Sequence, residues 1–448
     1  AAVKLQADLK FTPSARYRSR FRLQATLGDK ARAAMGLETF PFSKEIVSGP
    51  VSVDMTATET RRRGTVIKVA ADLTKARMAL PLLGWQSPPG EYAAGDAQVR
   101  VVDGQLRRVD SFRLTGSRLS LAGKADWSGS RDRRPIVRIS ELRHGAGTDL
   151  TAVATPVAGG GYQMSIAGQR LDGRSLIKNM TSTDQGEAKA KAKSKRDALE
   201  VDLQIAAVQM GNGPPLQTLR GRVSVAGDEV SKASLSANTV GGGQVGAKIS
   251  PNGATILTAS DAGALLEALG VTERLQRGGL RIEAKLPRGG GAIEGKLELR
   301  GGELTEAPFL MRLLSGGTID PPKVAQHWGI DRLDSQFAID HGVLMLEDGQ
   351  VSGGELGATF RGWIDVKREK LDIAGAIVPA YSVNRVLRAI PLLGDVLTGG
   401  EGLFAANYRA TGPLDQPDFS VNPLTALAPG LLRKLFGSSP SQPPQPSQ

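Results

Sequence analysis

The chain has 448 residues, of which 55 are glycine, 25 are proline and only 4% are aromatic, a composition typical of β-rich proteins with many turns. Cysteine is absent, which excludes disulfide bonds, thiolate nucleophiles and cysteine-ligated metal sites. The net charge of +12 comes from basic residues scattered beside acidic ones, and with few aromatics among them they do not predict a nucleic-acid-binding surface.

Alternation of apolar and polar residues with a period of two begins in the N-terminal part of the chain. Phe112 and Leu114 precede Gly116-Ser117, and Leu119 and Leu121 follow that dipeptide. Two strands joined by a tight turn, with their apolar side chains on one face, account for this pattern. We therefore predict a β-rich region over residues 1–180.

Residues 181–198 read TSTDQGEAKAKAKSKRDA, in which alanine is the only apolar type. Such a segment buries too little apolar surface to offset the entropy of ordering, so it predicts a disordered loop. A second β-rich region is predicted over residues 199–300. It contains a short helix over residues 261–269, with Ser260 as N-cap and Gly270 near the C-terminal end.

The alternation is clearest after residue 290. Ile293, Leu297 and Leu299 share one parity, as do Phe337 and Ile339, with Val343 and Met345 after the turn at His341-Gly342. A further set of one parity comprises Leu356, Ala358, Phe360, Ile364 and Val366. A charged turn over residues 367–370 follows it, and after the turn Leu371, Ile373 and Ile377 again share one parity. We predict that these eight side chains line one apolar face of two antiparallel strands. Two more helices are predicted, near residues 308–314 and after Ser382.

Short strands separated by turns every eight to twelve residues fit a sandwich or barrel, and equally a long twisted sheet. The alternation does not distinguish them, because it does not tell whether the apolar face is covered.

The sequence contains no complete motif for nucleotide or metal binding. Gly290 to Lys296 reads GGAIEGK, but Leu297 stands where a phosphate-binding loop needs Ser or Thr for magnesium. The three histidines have no metal-ligand spacing. We predict no catalytic residues, no metal and no cofactor.

Near the C-terminus, a short basic amphipathic helix is predicted from Leu431, Leu432, Arg433, Lys434, Leu435 and Phe436. Its leucines suit either an anionic membrane surface or the end of a sheet, and both readings stay open. Residues 437–448 are rich in Pro, Ser and Gln and predict a disordered tail.

Several segments resemble AsmA-like proteins of the TamB/YhdP type. The order VPAYSVNRVL, IPLLGDVLTGGEGLF, ATGPLDQPDFSVNPL and LAPGLLRKLF carries the likeness, supported by SDAGALLEALGVTERLQRGGL and GGELTEAPFLMRLLS. LGWQSPPGEYAAG and GQRLDGRSLIKN agree more loosely. The resemblance covers most of the chain, is most specific after Ser260, and implies an AsmA-like C-terminal module over residues 301–436.

The resemblance further implies an elongated, twisted antiparallel sheet curled into a groove (β-taco-like), with a few short helices in the C-terminal third. It implies phospholipid transport between membranes in the periplasm of a Gram-negative envelope, with phospholipid acyl chains, the inner and outer membranes and an outer-membrane protein as partners. Family members carry an N-terminal transmembrane anchor that this sequence lacks, which suggests a fragment. The alternative is a structural or assembly protein in which the sheet is closed.

Overall fold

The computed structural model describes residues 3–12, 17–35, 43–60, 64–80, 84–128, 134–175, 198–227, 229–287, 291–305, 327–354, 356–379, 406–414 and 417–422. This part of the chain is mainly β, with two short helices. It divides into two compact units: unit 1 comprises Ala1–Asn179, Ser194–Met210 and Gln217–Val230, and unit 2 comprises Met180–Lys193, Gly211–Leu216 and Ser231–Gln448.

Unit 1 contains a long ladder of twisted strands. Its strands are β1 (Val3–Leu9), β2 (Ser19–Leu27), β4 (Val51–Thr60), β5 (Gly64–Asp72), β8 (Ala93–Val102), β9 (Gln105–Gly116), β10 (Leu119–Asp126), β11 (Ile136–His144), β12 (Thr148–Pro156), β13 (Tyr162–Asp172) and β14 (Leu199–Gln209), followed by β15 (Leu216–Ala226). From β1 to β13 each strand pairs antiparallel with the next one in this order.

Tight turns set the register of several of these pairs. Asp103 and Gly104 both have positive φ values, 50° and 72°, so they form a two-residue turn of the kind that matches strand twist and pairs Val102 with Gln105. The predicted hairpin around Gly116-Ser117 is confirmed, since Gly116 pairs with Leu119.

One pair departs from the antiparallel prediction. Strands β13 and β14 run parallel, with Tyr162 beside Leu199 and Asp172 beside Gln209. A parallel pair needs a connection that returns along the strand, and 26 residues separate Asp172 from Leu199. The sheet is therefore mixed.

A small second sheet of unit 1 consists of β3 (Val47–Ser48), β6 (Arg77–Leu80) and β7 (Trp85–Ser87). Helix α1 (Asp29–Ala34) adjoins it, and the buried Arg32 side chain of that helix donates hydrogen bonds to the carbonyl oxygens of Leu27, Val47 and Gly49. We call these elements the unit 1 cap. The sequence predicted neither this helix nor this sheet.

Unit 2 contains a second ladder. Its strands are β16 (Glu229–Asn238), β17 (Gln244–Ile249), β18 (Ala254–Ala259), β19 (Leu275–Gln276), β20 (Gly279–Lys285), β21 (Ile293–Thr305), β22 (His327–Asp340), β23 (Val343–Gly353), β24 (Leu356–Asp365), β25 (Lys370–Pro379), β26 (Ala406–Pro413) and β27 (Asp418–Asn422). All of its described pairings are antiparallel.

Helix α2 (Ala262–Ala268) lies between β18 and β19, within one residue of the prediction at each end. Its N-cap is Asp261, not the predicted Ser260: the Asp261 carboxylate accepts a hydrogen bond from the Ala264 amide at 3.0 Å. Gly270, with φ +70°, follows the helix as predicted.

The prediction of a mainly β, twisted, open sheet is confirmed, because no described pairing joins the first strand of either ladder to its last. Residues 181–197 of the first predicted disordered segment and all of the second lie outside the described residues. So do the helices predicted near residues 308–314 and after Ser382 and the basic helix over residues 431–436. Residues 301–305 and the strands from β22 to β27 belong to the region predicted as the C-terminal module.

Candidate functional site

In unit 1, the strand register aligns apolar residues into an unbroken row across eleven strands. Directly opposed residues on neighbouring strands project to the same face, so each row can be followed from pair to pair. The row is Leu5, Leu23, Met55, Val69, Ala97, Phe112, Gly123, Ile139, Ala152, Ile166 and Leu203. The opposite face is polar, as in the row Gln6, Arg22, Thr56, Lys68 and Gln98.

Unit 2 repeats this division. Its apolar face carries, among others, the row Leu235, Ala247, Leu257, Ile282 and Leu297 and the row Ile293, Ile339, Leu344, Ile364 and Leu371. The neighbouring positions on the other face include Arg281, Glu283, Lys296, Glu298 and Arg332. We call these two surfaces the apolar faces of units 1 and 2.

Each apolar face is covered at one end of its strands. In unit 1 the cap places Val47, Met78 and Trp85 in a buried cluster with ladder residues such as Leu119. Trp85 is 3% exposed, and its indole N–H donates to the carbonyl oxygen of Ser117 at 2.9 Å. In unit 2 the corresponding buried row is Ala237, Val245, Ala259, Leu280 and Leu299, at the strand ends joined by α2.

Away from these ends, the apolar faces are only half-buried. Leu257, Ile282, Leu297, Phe337 and Leu346 are all of intermediate exposure, and Ile339 is 38% exposed. In unit 1, Phe21 is 40% exposed. A closed core buries such side chains almost fully, so these faces retain apolar surface in contact with water.

Most of the predicted face residues meet as expected. Ile364 pairs with Leu371, Ala358 with Ile377, and Ile373 with Gly362, so the two strands present them on one face. Phe360 lies on that face opposite Gly349. Leu356 is in β24 and pairs with Gly353 and Pro379.

Two predictions were wrong. Val366 lies beyond the end of β24, in the turn, and is 62% exposed. Val343 and Met345 project to the polar face, because the two-residue turn at His341-Gly342 pairs Asp340 with Val343 and hence Ile339 with Leu344. Leu344 and Leu346 therefore occupy the apolar face instead.

The polar faces are held by cross-strand ion pairs. Arg22 donates to Asp54 from the neighbouring strand, with the Nε atom 3.1 Å from Oδ1, and Gln24 donates to the same carboxylate at 2.8 Å. The Arg22 hydrogen bond, followed by that of Gln24, lowers the pKa of Asp54. In unit 1, an open concavity of about 700 Å³ is lined by polar-face residues that include Gln24, Asp54, Asp72 and Asp96, so it is not formed by the apolar row of that unit.

Within the described ranges, no group of three or more His, Cys, Asp or Glu side chains is placed to hold a metal ion. Neither described helix has the length and apolar content needed to cross a bilayer. Comparison with family models, curated proteins and solved structures gives no match to this chain.

Proposed function

We propose that the protein is a non-enzymatic phospholipid carrier of the bacterial envelope, which shields acyl chains on its apolar faces while they cross the periplasm. The observation that supports this most is the eleven-strand apolar row of unit 1, which is partly exposed and has no charged member. An assignment to the AsmA-like family rests on the sequence resemblance and is part of the proposal.

The energetic task of such a carrier is large. A diacyl phospholipid has some thirty methylenes, and at about 0.8 kcal/mol each their exposure to water costs on the order of 25 kcal/mol. Apolar surface that is already partly dehydrated offsets this cost without any covalent chemistry. The carrier therefore needs a continuous surface rather than a catalytic residue.

The geometry of the rows suits movement as well as binding. Adjacent strands lie about 4.8 Å apart, so the ten steps of the unit 1 row span about 50 Å. Along this distance the row contains only aliphatic residues, one methionine, one phenylalanine and one glycine. An acyl chain would meet sites of similar affinity at each step, which favours sliding over tight retention.

Native mass spectrometry with lipid extraction tests the proposal. Wild-type protein is compared with the variant Phe360→Asp/Ile373→Asp, which places two carboxylates on the apolar face of unit 2. The matched control is Ser234→Asp/Ser352→Asp, because both serines are exposed on the polar face and lie opposite cations, Lys248 and Arg332. Circular dichroism checks that all three proteins are folded.

We expect phospholipid on the wild type and the control, and its loss from the apolar-face variant. Wild-type protein that carries no phospholipid would contradict the carrier proposal. Equal lipid on the two variants would mean that lipid binds elsewhere on the molecule.

A structural or assembly role is the second candidate, and one observation favours it. Strand β1 pairs with β2 on one side, all seven of its residues are exposed, and no described strand pairs with its other side. An exposed edge of this kind accepts a strand from a partner protein. Lipid-free wild-type protein that instead binds an outer-membrane protein would support this role.

A further inference from the structure

Phenylalanine rings on the apolar faces lie over glycines of the neighbouring strand. Phe112 is directly opposite Gly123, Phe337 opposite Gly295, and Phe360 opposite Gly349. A methyl group at Gly123 would lie 2.7 Å from Cζ of Phe112, and one at Gly295 would lie 2.6 Å from Cζ of Phe337. At Gly349 the three nearest atoms all belong to the Phe360 ring.

These contacts define how the rings are oriented. Side chains in a strand ordinarily stand roughly perpendicular to the sheet. A ring whose tip occupies the space above the next strand's glycine leans across the sheet instead. The largest side chains in these rows therefore rise less above the surface than their size would allow.

We propose that these phenylalanine–glycine pairs are positioning elements that keep the apolar face low, so that an acyl chain passes over it without meeting an upright ring. This inference rests on the proposed carrier function and specifies what determines the free space above the face. The pair Phe360/Gly349 acts in unit 2, next to the row of Ile364 and Leu371.

Gly349 offers the cleanest test of the three glycines. Methyl groups at Gly123 and Gly295 would also approach the carbonyl oxygens of Arg138 and Glu283, so alanine there would disturb the backbone. Gly349 has only ring atoms as its nearest neighbours, and its φ is outside the positive region that disfavours alanine. Gly349→Ala therefore places its methyl group directly against the Phe360 ring, so the ring is the first group that has to move.

The experiment measures binding of a polyene fatty acid whose fluorescence rises when it leaves water. Wild type is compared with Gly349→Ala, with Gly349→Ala/Phe360→Leu and with Phe360→Leu. Gly329→Ala is the matched control, because a methyl group at that position of β22 meets no atom within 4 Å. Thermal unfolding of each protein separates changes in binding from changes in stability.

We expect Gly349→Ala to weaken binding roughly tenfold, the loss of contact with about two methylenes, since the raised ring lifts the chain off the surface. The double variant should bind more tightly than Gly349→Ala, because it has no ring to raise, and Phe360→Leu alone measures what the ring itself contributes to binding. Gly329→Ala should leave binding unchanged.

Two results would overturn the inference. If Gly349→Ala binds as tightly as wild type, the ring does not control the space above the face. If Phe360→Leu alone binds tenfold more weakly, the ring is itself a contact for the chain. In both cases the wild type binds and the carrier proposal stands, whereas a wild type that fails to bind removes the carrier proposal together with this inference.

Discussion

The two units bury one end of their apolar faces with different structural elements. Both have a ladder with one apolar and one charged face, and both bury the apolar face at one end of the strands. Unit 1 does so with a three-stranded sheet that contributes Trp85, whereas unit 2 has helix α2, in which Ala262, Leu265 and Ala268 are buried. The shared feature is the half-exposed ladder face, and the covering elements differ.

This difference separates two kinds of apolar residue within the same rows. Those beneath the unit 1 cap or at the strand ends joined by helix α2 form an ordinary core and contribute to stability. Those further along the strands keep part of their surface exposed, so they contribute less to stability and are free for a ligand. Mutations in the two classes should therefore affect different measurements.

The largest effects should follow substitution in the unit 1 cap and in helix α2. Trp85→Ala removes a buried ring together with its hydrogen bond to Ser117, and we expect a loss of about 3–5 kcal/mol in the free energy of unfolding. Leu265→Ala, at 2% exposure, should cost about 2–5 kcal/mol. Denaturant titrations followed by circular dichroism would give both values.

Hydrogen exchange would show where each loss occurs. Trp85→Ala should increase exchange in β3, β6 and β7, and Leu265→Ala in α2. Uniform loss of protection over both units in either variant would contradict the view that the unit 1 cap and helix α2 stabilise their own units.

A smaller effect is expected on the half-exposed face. Leu297→Ala should reduce the free energy of unfolding by only about 1 kcal/mol, because its side chain is partly exposed in the folded protein. Its acyl-chain binding should nevertheless fall, whereas Leu265→Ala should retain binding while it remains folded. If Leu297→Ala destabilises as strongly as Leu265→Ala, this face is a closed core.

The smallest effect concerns the charged face and acid. The pKa of Asp54 is lowered in the folded protein, so its pairing with Arg22 stabilises the fold above the ordinary carboxyl pKa of about 3.9. That stabilisation disappears as the pH falls through the lowered pKa. Asp54→Asn should therefore lower the melting temperature slightly near neutral pH, with a difference from wild type that shrinks below about pH 4.

Melting curves over this pH range would measure the difference. The control is Asp96→Asn on the same face, because no described side chain forms an ion pair with Asp96. A difference for Asp54→Asn that stays constant with pH would show that the carboxylate's charge is not responsible.

The apolar face was predictable where turns and period-two alternation agree. Ile364 and Leu371 fall on one face because a charged turn joins two regular strands. Val343 and Met345 were assigned to the wrong face. After the two-residue turn at His341-Gly342, the even-numbered residues lie on the face that carries the odd-numbered residues before it. Alternation within a single strand does not reveal this change. Val366 has the right parity but follows the last paired residue of its strand.

The unit 1 cap was not predictable in the same way. Strands β3, β6 and β7 have only two to four residues, too few to show a period. Trp85, one of four tryptophans, was the available signal, since a large aromatic residue beside a turn sequence is often buried. The parallel pairing of β13 and β14 depends on how a long connection returns, which local sequence does not encode.

That parallel pair also bears on how the protein folds. Most neighbours in both ladders are adjacent in sequence, so pairing can spread from hairpin to hairpin with little loop-closure entropy, as in repeat proteins. Between β13 and β14 the chain must first close a loop of 26 residues. Pairing from β1 to β13 should therefore form faster than the addition of β14, and this step is where a partly folded ladder would pause with an unpaired strand edge exposed.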